Sequence, residues 1–234
     1  MIPEKPCIRA LGYAAAEILQ IGPSYTSLIS SADATYDWVD CWEDLYKSNQ
    51  LGELRQVNET YLRRITNYTN DDLAQICPIK SYGTMARSAG ANGGLDSSQY
   101  AQAFEAMWHA ESSGEDTNPH ICLCNNHMIA LVPTMAKVGD IIVRFWNCST
   151  AAVIRPAGNL EPSSFYTSGP ALYLLVGKAD ISKHERREGT WVQPIHLPGD
   201  YPPAAGTPVT INVLDVDLDF RSLQMLSAPI GPGR

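Results

Sequence analysis

Ile141, Val143 and Phe145 alternate with Ile142, Arg144 and Trp146, so an arginine and a tryptophan two positions apart share one face of any strand built there. Guanidinium beside indole gives an apolar wall one fixed cluster of hydrogen-bond donors. Such a wall suits a reaction in which a folded apolar substrate is held in near-attack geometry while a carbonyl is polarised. Orientation alone supplies about 7–11 kcal/mol in the best cases. A donor aimed at developing negative charge adds about 3 kcal/mol. Trp146, Trp108, Phe104 and Arg155 are the candidate binding residues, and Arg144, Tyr173 and His127 the candidate catalytic donors. The plainer alternative lays Arg144 on a solvent face with its stem across Trp146.

Other groupings carry less chemistry. His120 and His127 bracket Cys122 and Cys124, but a structural zinc site needs a second ligand pair, and only Cys148 and His109 are loose candidates. Core thiols with edge histidines are expected, and no metal. Asp215, Asp217 and Asp219 alternate with Leu214, Val216, Leu218 and Phe220. A strand there puts three carboxylates on one face; a divalent cation would suit them, but a half-buried strand with its charged face in water is simpler. There is no Gly-x-Ser-x-Gly elbow, no P-loop and no strand–GxGxxG–helix, so neither an activated serine nor a cofactor is expected. His184 to Glu188 reads as a charged turn. His196 leaves open a weaker option, a hydrolase or isomerase using His127 or His196.

The elements that must position these groups fall in two blocks. Ile8 to Ile21 is alanine-rich with Gly12 near its centre, and a strand running into the Gly22-Pro23 turn is the preferred state. Helical spacing then marks Val39, Trp42 and Leu45 or Tyr46. It continues with Leu54, Val57, Tyr61 and Ile65, and a short helix capped by Asn70 stops before Pro78. Gly83 to Leu95 reads as a mobile loop, and Asp96-Ser97-Ser98 caps a helix bearing Tyr100, Phe104, Met107 and Trp108. From His120 the pattern changes to strands: His120–Cys124, a turn at Asn125-Asn126, Met128–Val132, Ile141–Trp146, Ala152–Arg155, Leu172–Gly177 and Val209–Phe220. Gly158–Pro170 and the proline-rich Pro194–Pro208 read as loops, and Ala228–Arg234 as a tail.

At 234 residues, 44% hydrophobic and 18% charged, the chain fits one globular domain. A formal net charge of −8 and a pI near 5.0 argue against nucleic acid or an anionic membrane as partner. No apolar run is long enough to span a bilayer, and Met1 to Pro6 lacks an apolar signal core. Six cysteines without a secretory signal read as reduced thiols, and the cytoplasm is the expected compartment.

Met128-Ile129-Ala130-Leu131-Val132-Pro133, then Gly139-Asp140-Ile141-Ile142-Val143 with Val153-Ile154-Arg155, then Tyr173-Leu174-Leu175-Val176-Gly177, follow one another in an order that resembles the C-terminal region of fungal heterokaryon-incompatibility (HET) proteins. The likeness covers about the C-terminal half and extends weakly to Gly22-Pro23. It departs from the family in lacking the N-terminal signature domain and in carrying Ser182 where the family usually has histidine. The resemblance implies an α+β fold: an antiparallel barrel-like sheet of five to six strands (about 8–21 and 120–220) with three to four helices inserted at about 33–113, in a single domain 1–234. A lone module of this kind looks like those recruited to fungal secondary metabolism. The function expected is a cofactor-independent cyclase of terpenoid or polyketide assembly, a Diels–Alder pericyclase, acting on an apolar small molecule. The competing expectation is a non-catalytic HET-derived interaction or regulatory module, which would show a flat exposed patch in place of an enclosed pocket.

Overall fold

The computed structural model describes residues 7–30, 38, 52–81, 84–88, 97–111, 118–125, 128–145, 151–157, 172–182 and 213–230. Eight strands and five helices lie within them. In chain order they are β1 (Cys7–Ser24), α1 (Tyr25–Ser30), α2 (Gly52–Ile65), α3 (Asn70–Ala74), β2 (Met85–Ser88), α4 (Ser97–Glu111), β3 (His120–Cys124), β4 (Ile129–Val132), β5 (Ile141–Phe145), β6 (Ala151–Pro156), β7 (Leu172–Ile181), β8 (Val213–Asp219) and α5 (Phe220–Ser227). The first helix expected after Asp33 lies outside the described residues apart from Trp38, as do the loops at 158–170 and 194–208. Among the described residues no helix is long and apolar enough to cross a membrane.

Antiparallel pairing closes a six-stranded barrel in the order β1–β8–β2–β7–β6–β5 and back to β1. β3 and β4 bridge the far half of β1 to the end of β7, which makes a second closed circuit, β1–β3–β4–β7–β6–β5. β1 serves both because register shifts between Ala14 and Ala16 and between Ile18 and Gln20 bend it from one sheet into the other. The alanines that weakened its strand signal occupy this junction: Ala14 belongs to one core and Ala16 to another.

Three apolar cores result. The barrel lumen takes residues from all six of its strands, among them Ala14, Val143, Ala152, Leu175, Ala86 and Val216. It is tightly filled, for a Cβ on Gly12 would meet Val143 Cγ1 at 2.7 Å. The opposite faces of β5, β6 and β7 (Ile142, Val153, Val176) meet Cys122, Cys124, Ala130 and Val132 inside the second circuit, where Tyr100, Phe104 and Met107 of α4 join them. The remaining face of β3–β4 packs Ile121, Leu123, Ile129 and Leu131 against Tyr25, Tyr61, Ile65 and Leu73. Burial on both faces explains why these two strands read as unbroken apolar runs.

Four local expectations need correction. The α3 N-cap is Thr69, one residue before Asn70; its hydroxyl accepts from Asp72 N at 3.3 Å, and Asp72 Oδ2 accepts from Thr69 N at 2.9 Å. Residues 85–88, expected within a mobile loop, form β2, because β7 and β8 each offer it a ladder edge. The last strand ends at Asp219, whose carboxylate accepts from Ser222 N at 2.8 Å and turns Phe220 into the start of α5, where its ring is exposed. The charged face of β8 is also less open to water than expected. Asp217 is buried and takes Arg9 Nε at 2.7 Å and Arg87 Nη2 at 2.6 Å.

These contacts set the acid stability. Hydrogen bonds from Arg9 hold the Asp217 carboxyl below its ordinary 3.8, against a smaller opposing push from burial. Burial raises Asp219, but donors on Ser81, Ser222 and Thr84 outweigh it and leave that carboxyl lowered too. A folded-state value below the unfolded one means stability that is complete above about pH 4 and is lost as pH falls through the folded value. Asp217→Asn is therefore expected to flatten the acid limb of a plot of melting temperature against pH. An unchanged slope between about pH 4 and pH 2 would refute this coupling.

Candidate functional site

Register places Arg144 opposite Tyr13 of β1 on one side and Ala151 of β6 on the other. Directly paired residues share a face, and Ala151 and Ile142 belong to the core of the second circuit. Arg144 thus stands on the face turned toward that circuit, while Ile141, Val143 and Phe145 fill the barrel lumen. Arg144 is half-buried, and its Nε is buried without a hydrogen-bond partner among the described residues. Tyr13, beside it, is buried.

The other strand arginines are all matched. Arg9 and Arg87 share Asp217. Arg155 meets Asp140 with Nε at 2.7 Å and Nη2 at 2.8 Å, and Nη2 also donates to Met135 O at 2.7 Å. Asp140, itself buried, accepts from Lys137 N at 2.8 Å. The Gly-Asp and Ile-Arg motif blocks are therefore one structural device, a part-buried bidentate ion pair closing the start of β5 onto β6. Asp140 precedes β5 and Arg144 lies four residues on, so the Arg155–Asp140 pair and the unmatched Arg144 stand at opposite ends of β5, with Asp140 and Arg144 about 13 Å apart along the strand.

The remaining candidates divide between the two sides of the wall. Phe104 is fully buried in the core of the second circuit, and Trp108 is partly buried against it. Their rings stack with centroids 6.1 Å apart, and the Lys80 ammonium lies 5.2 Å from the Trp108 ring centre. Tyr173 does not join them. It pairs with Ala86 and packs on the lumen side, across the strand wall from Arg144. Trp146 and His127 lie outside the described residues, as do His184 and His196.

Cys122 and Cys124 are buried free thiols of the same core, and burial first, with Cys124 beside it, pushes the Cys122 thiol well above its ordinary value. Such a thiol is inert, not nucleophilic. Cys77 is partly buried and Cys7 is exposed. His120 Nδ1 contacts Gly22 O at 3.1 Å, and His109 is an exposed residue of α4 beside Glu105. Among the described residues no cluster of three or more histidine, cysteine or acidic side chains could hold a metal ion.

Two residues at the site were not reached from sequence. Tyr13 becomes a neighbour of Arg144 only through the β1–β5 register. Asp140 could have been found, because an acid and an arginine flanking two apolar runs of one hairpin are opposite each other when the hairpin is short. No protein-family model, curated protein or solved structure matches the chain.

Proposed function

We propose that the chain is a cofactor-independent cyclase of fungal terpenoid or polyketide metabolism, of the intramolecular Diels–Alder type, acting at the Arg144 face of the second circuit. The observation that carries this is a guanidinium Nε buried beside an apolar core with no protein acceptor among the described residues. A buried donor left without a partner costs about 1–3 kcal/mol, and a substrate oxygen placed there would recover that cost. The resemblance to the HET C-terminal region and the apolar chemistry of the surrounding core support the same reading. Arg144 would hydrogen-bond the carbonyl of the dienophile and lower the barrier, while apolar side chains around it would hold the chain folded. No proton changes owner in a pericyclic step, so Arg144 needs no neighbouring base.

A linear chain carrying a conjugated diene and an α,β-unsaturated carbonyl tests this. The purified protein is expected to accelerate its cyclisation, and Arg144→Gln to lose about 100-fold of that acceleration with an unchanged melting temperature. A wild-type rate equal to that in buffer rejects the cyclase reading.

A further inference from the structure

We infer that the ligand held at Arg144 is a monoanionic carboxylate on an otherwise apolar chain, an inference that rests on the proposed binding face and adds the charge of what it binds. Charge bookkeeping on the strands carries it. Arg9, Arg87 and Arg155 each meet a carboxylate oxygen at 2.6–2.7 Å. On α2, Arg64 does so at 2.9 Å from Asp180. Among the half-buried arginines described, Arg64, Arg87 and Arg155 therefore each meet an acid of the protein's own, whereas the exposed Arg63 and Arg221 show no ion pair. Arg144, half-buried and carrying a buried Nε, has no carboxylate among the described residues.

A guanidinium stays charged at any working pH. A neutral carbonyl on the dienophile fills one position of the fork and leaves the other donors, and the charge, for a carboxylate on the same chain. A carboxylate fills two positions of the fork and cancels the charge.

The same bookkeeping distinguishes carboxylate from phosphate. A phosphate monoester carries close to two negative charges near neutral pH, and among the described residues the face offers no second unpaired cation for it. Arg155 at the far end is bound to Asp140. Lys178 is paired with Ala152 on the lumen side and donates to Met225 O at 3.0 Å and to Ala228 O. One unmatched arginine matches one monoanion.

Titration of the protein with a fluorescent conjugated polyenoic fatty acid and with its methyl ester tests this. The acid is expected to bind at least tenfold more tightly than the ester. Arg144→Gln is expected to remove that preference by weakening the acid alone, and Arg144→Lys, which keeps the charge without the fork, to retain part of it. Melting curves of both variants show that the fold is kept, and the lysine variant guards against a glutamine protein that fails to fold. Equal binding of acid and ester overturns the carboxylate assignment and leaves the apolar binding face standing. Binding of neither overturns both. A preference for acid that survives in Arg144→Gln places the anion elsewhere and also overturns the assignment.

Discussion

Gly177→Ala is expected to destabilise the fold by about 3–5 kcal/mol, from a steric clash and the loss of two backbone hydrogen bonds. The segment Cys77–Ile79 lies across β7 at this point. Lys178 N donates to Cys77 O at 3.1 Å, Ile79 N donates to Val176 O at 3.0 Å, and Pro78 bridges to Gly177. A Cβ on Gly177 would sit 2.4 Å from Cys77 O, 2.9 Å from Pro133 Cγ and 3.0 Å from Pro78 Cα. None of these is the loose end of a flexible side chain, so the crossing segment must lift off the strand.

Gly139 gives the contrast within the same chain. It has φ +88° and open space around its Cβ position. Gly139→Ala should therefore cost only the left-handed backbone penalty, about 1–2 kcal/mol. Urea denaturation of both variants measures the difference. Equal losses would show that close approach is not what selects glycine at 177.

The second large effect is expected at Asp180→Ala, about 3–5 kcal/mol for breaking a buried ion pair from one side. The Asp180 carboxylate accepts from Arg64 Nη2 at 2.9 and 3.1 Å and from the Tyr68 hydroxyl at 2.6 Å. Its carbonyl accepts from the Tyr61 hydroxyl at 2.9 Å, and the Tyr61 hydroxyl oxygen accepts in turn from Leu131 N at 3.0 Å. Burial first, and Asp180 next, push both tyrosine hydroxyls far above their ordinary values, so they remain protonated donors. α2, β4 and the end of β7 are thus tied through one carboxylate.

Truncation strips Tyr68 of its acceptor and leaves Arg64, whose Nε already lacks a partner among the described residues, without its counter-charge. Arg64 is 37% exposed, and the lower end of the range is expected for that reason. Adding Tyr68→Phe to Asp180→Ala should cost less than the sum of the two single changes, because each removes the other's stranded partner. Strict additivity in a double-mutant cycle would show that the network is not coupled.

Much of the architecture was legible because burial leaves a pattern. β3 and β4, covered on both faces, are continuous apolar runs. β8 alternates, and α4 carries Tyr100, Phe104 and Met107 at helical spacing toward one core. Two elements were not legible for a definite reason. β2 is four residues, Met-Ala-Arg-Ser, too short to show a period, and owes its state to β7 and β8. Phe220 continues the apolar alternation of β8 and yet leaves it, because Asp219 spends its carboxylate on capping α5.

What the amino-acid order determined by itself is parity: that Ile142 and Arg144 share a face, that Leu214, Val216 and Leu218 share another, and that Gly139-Asp140 opens a strand. Only the tertiary structure decided where those faces look. A strand such as β5, buried on both sides between the lumen and the second circuit, carries no polar face to mark the outside. Its register against β1 and β6 therefore had to be known before Arg144 could be set beside Tyr13. The same closure put Tyr173 across the wall from Arg144. Two residues on different strands meet only when ladder register and ring closure place them on one side, and both depend on contacts made far along the chain.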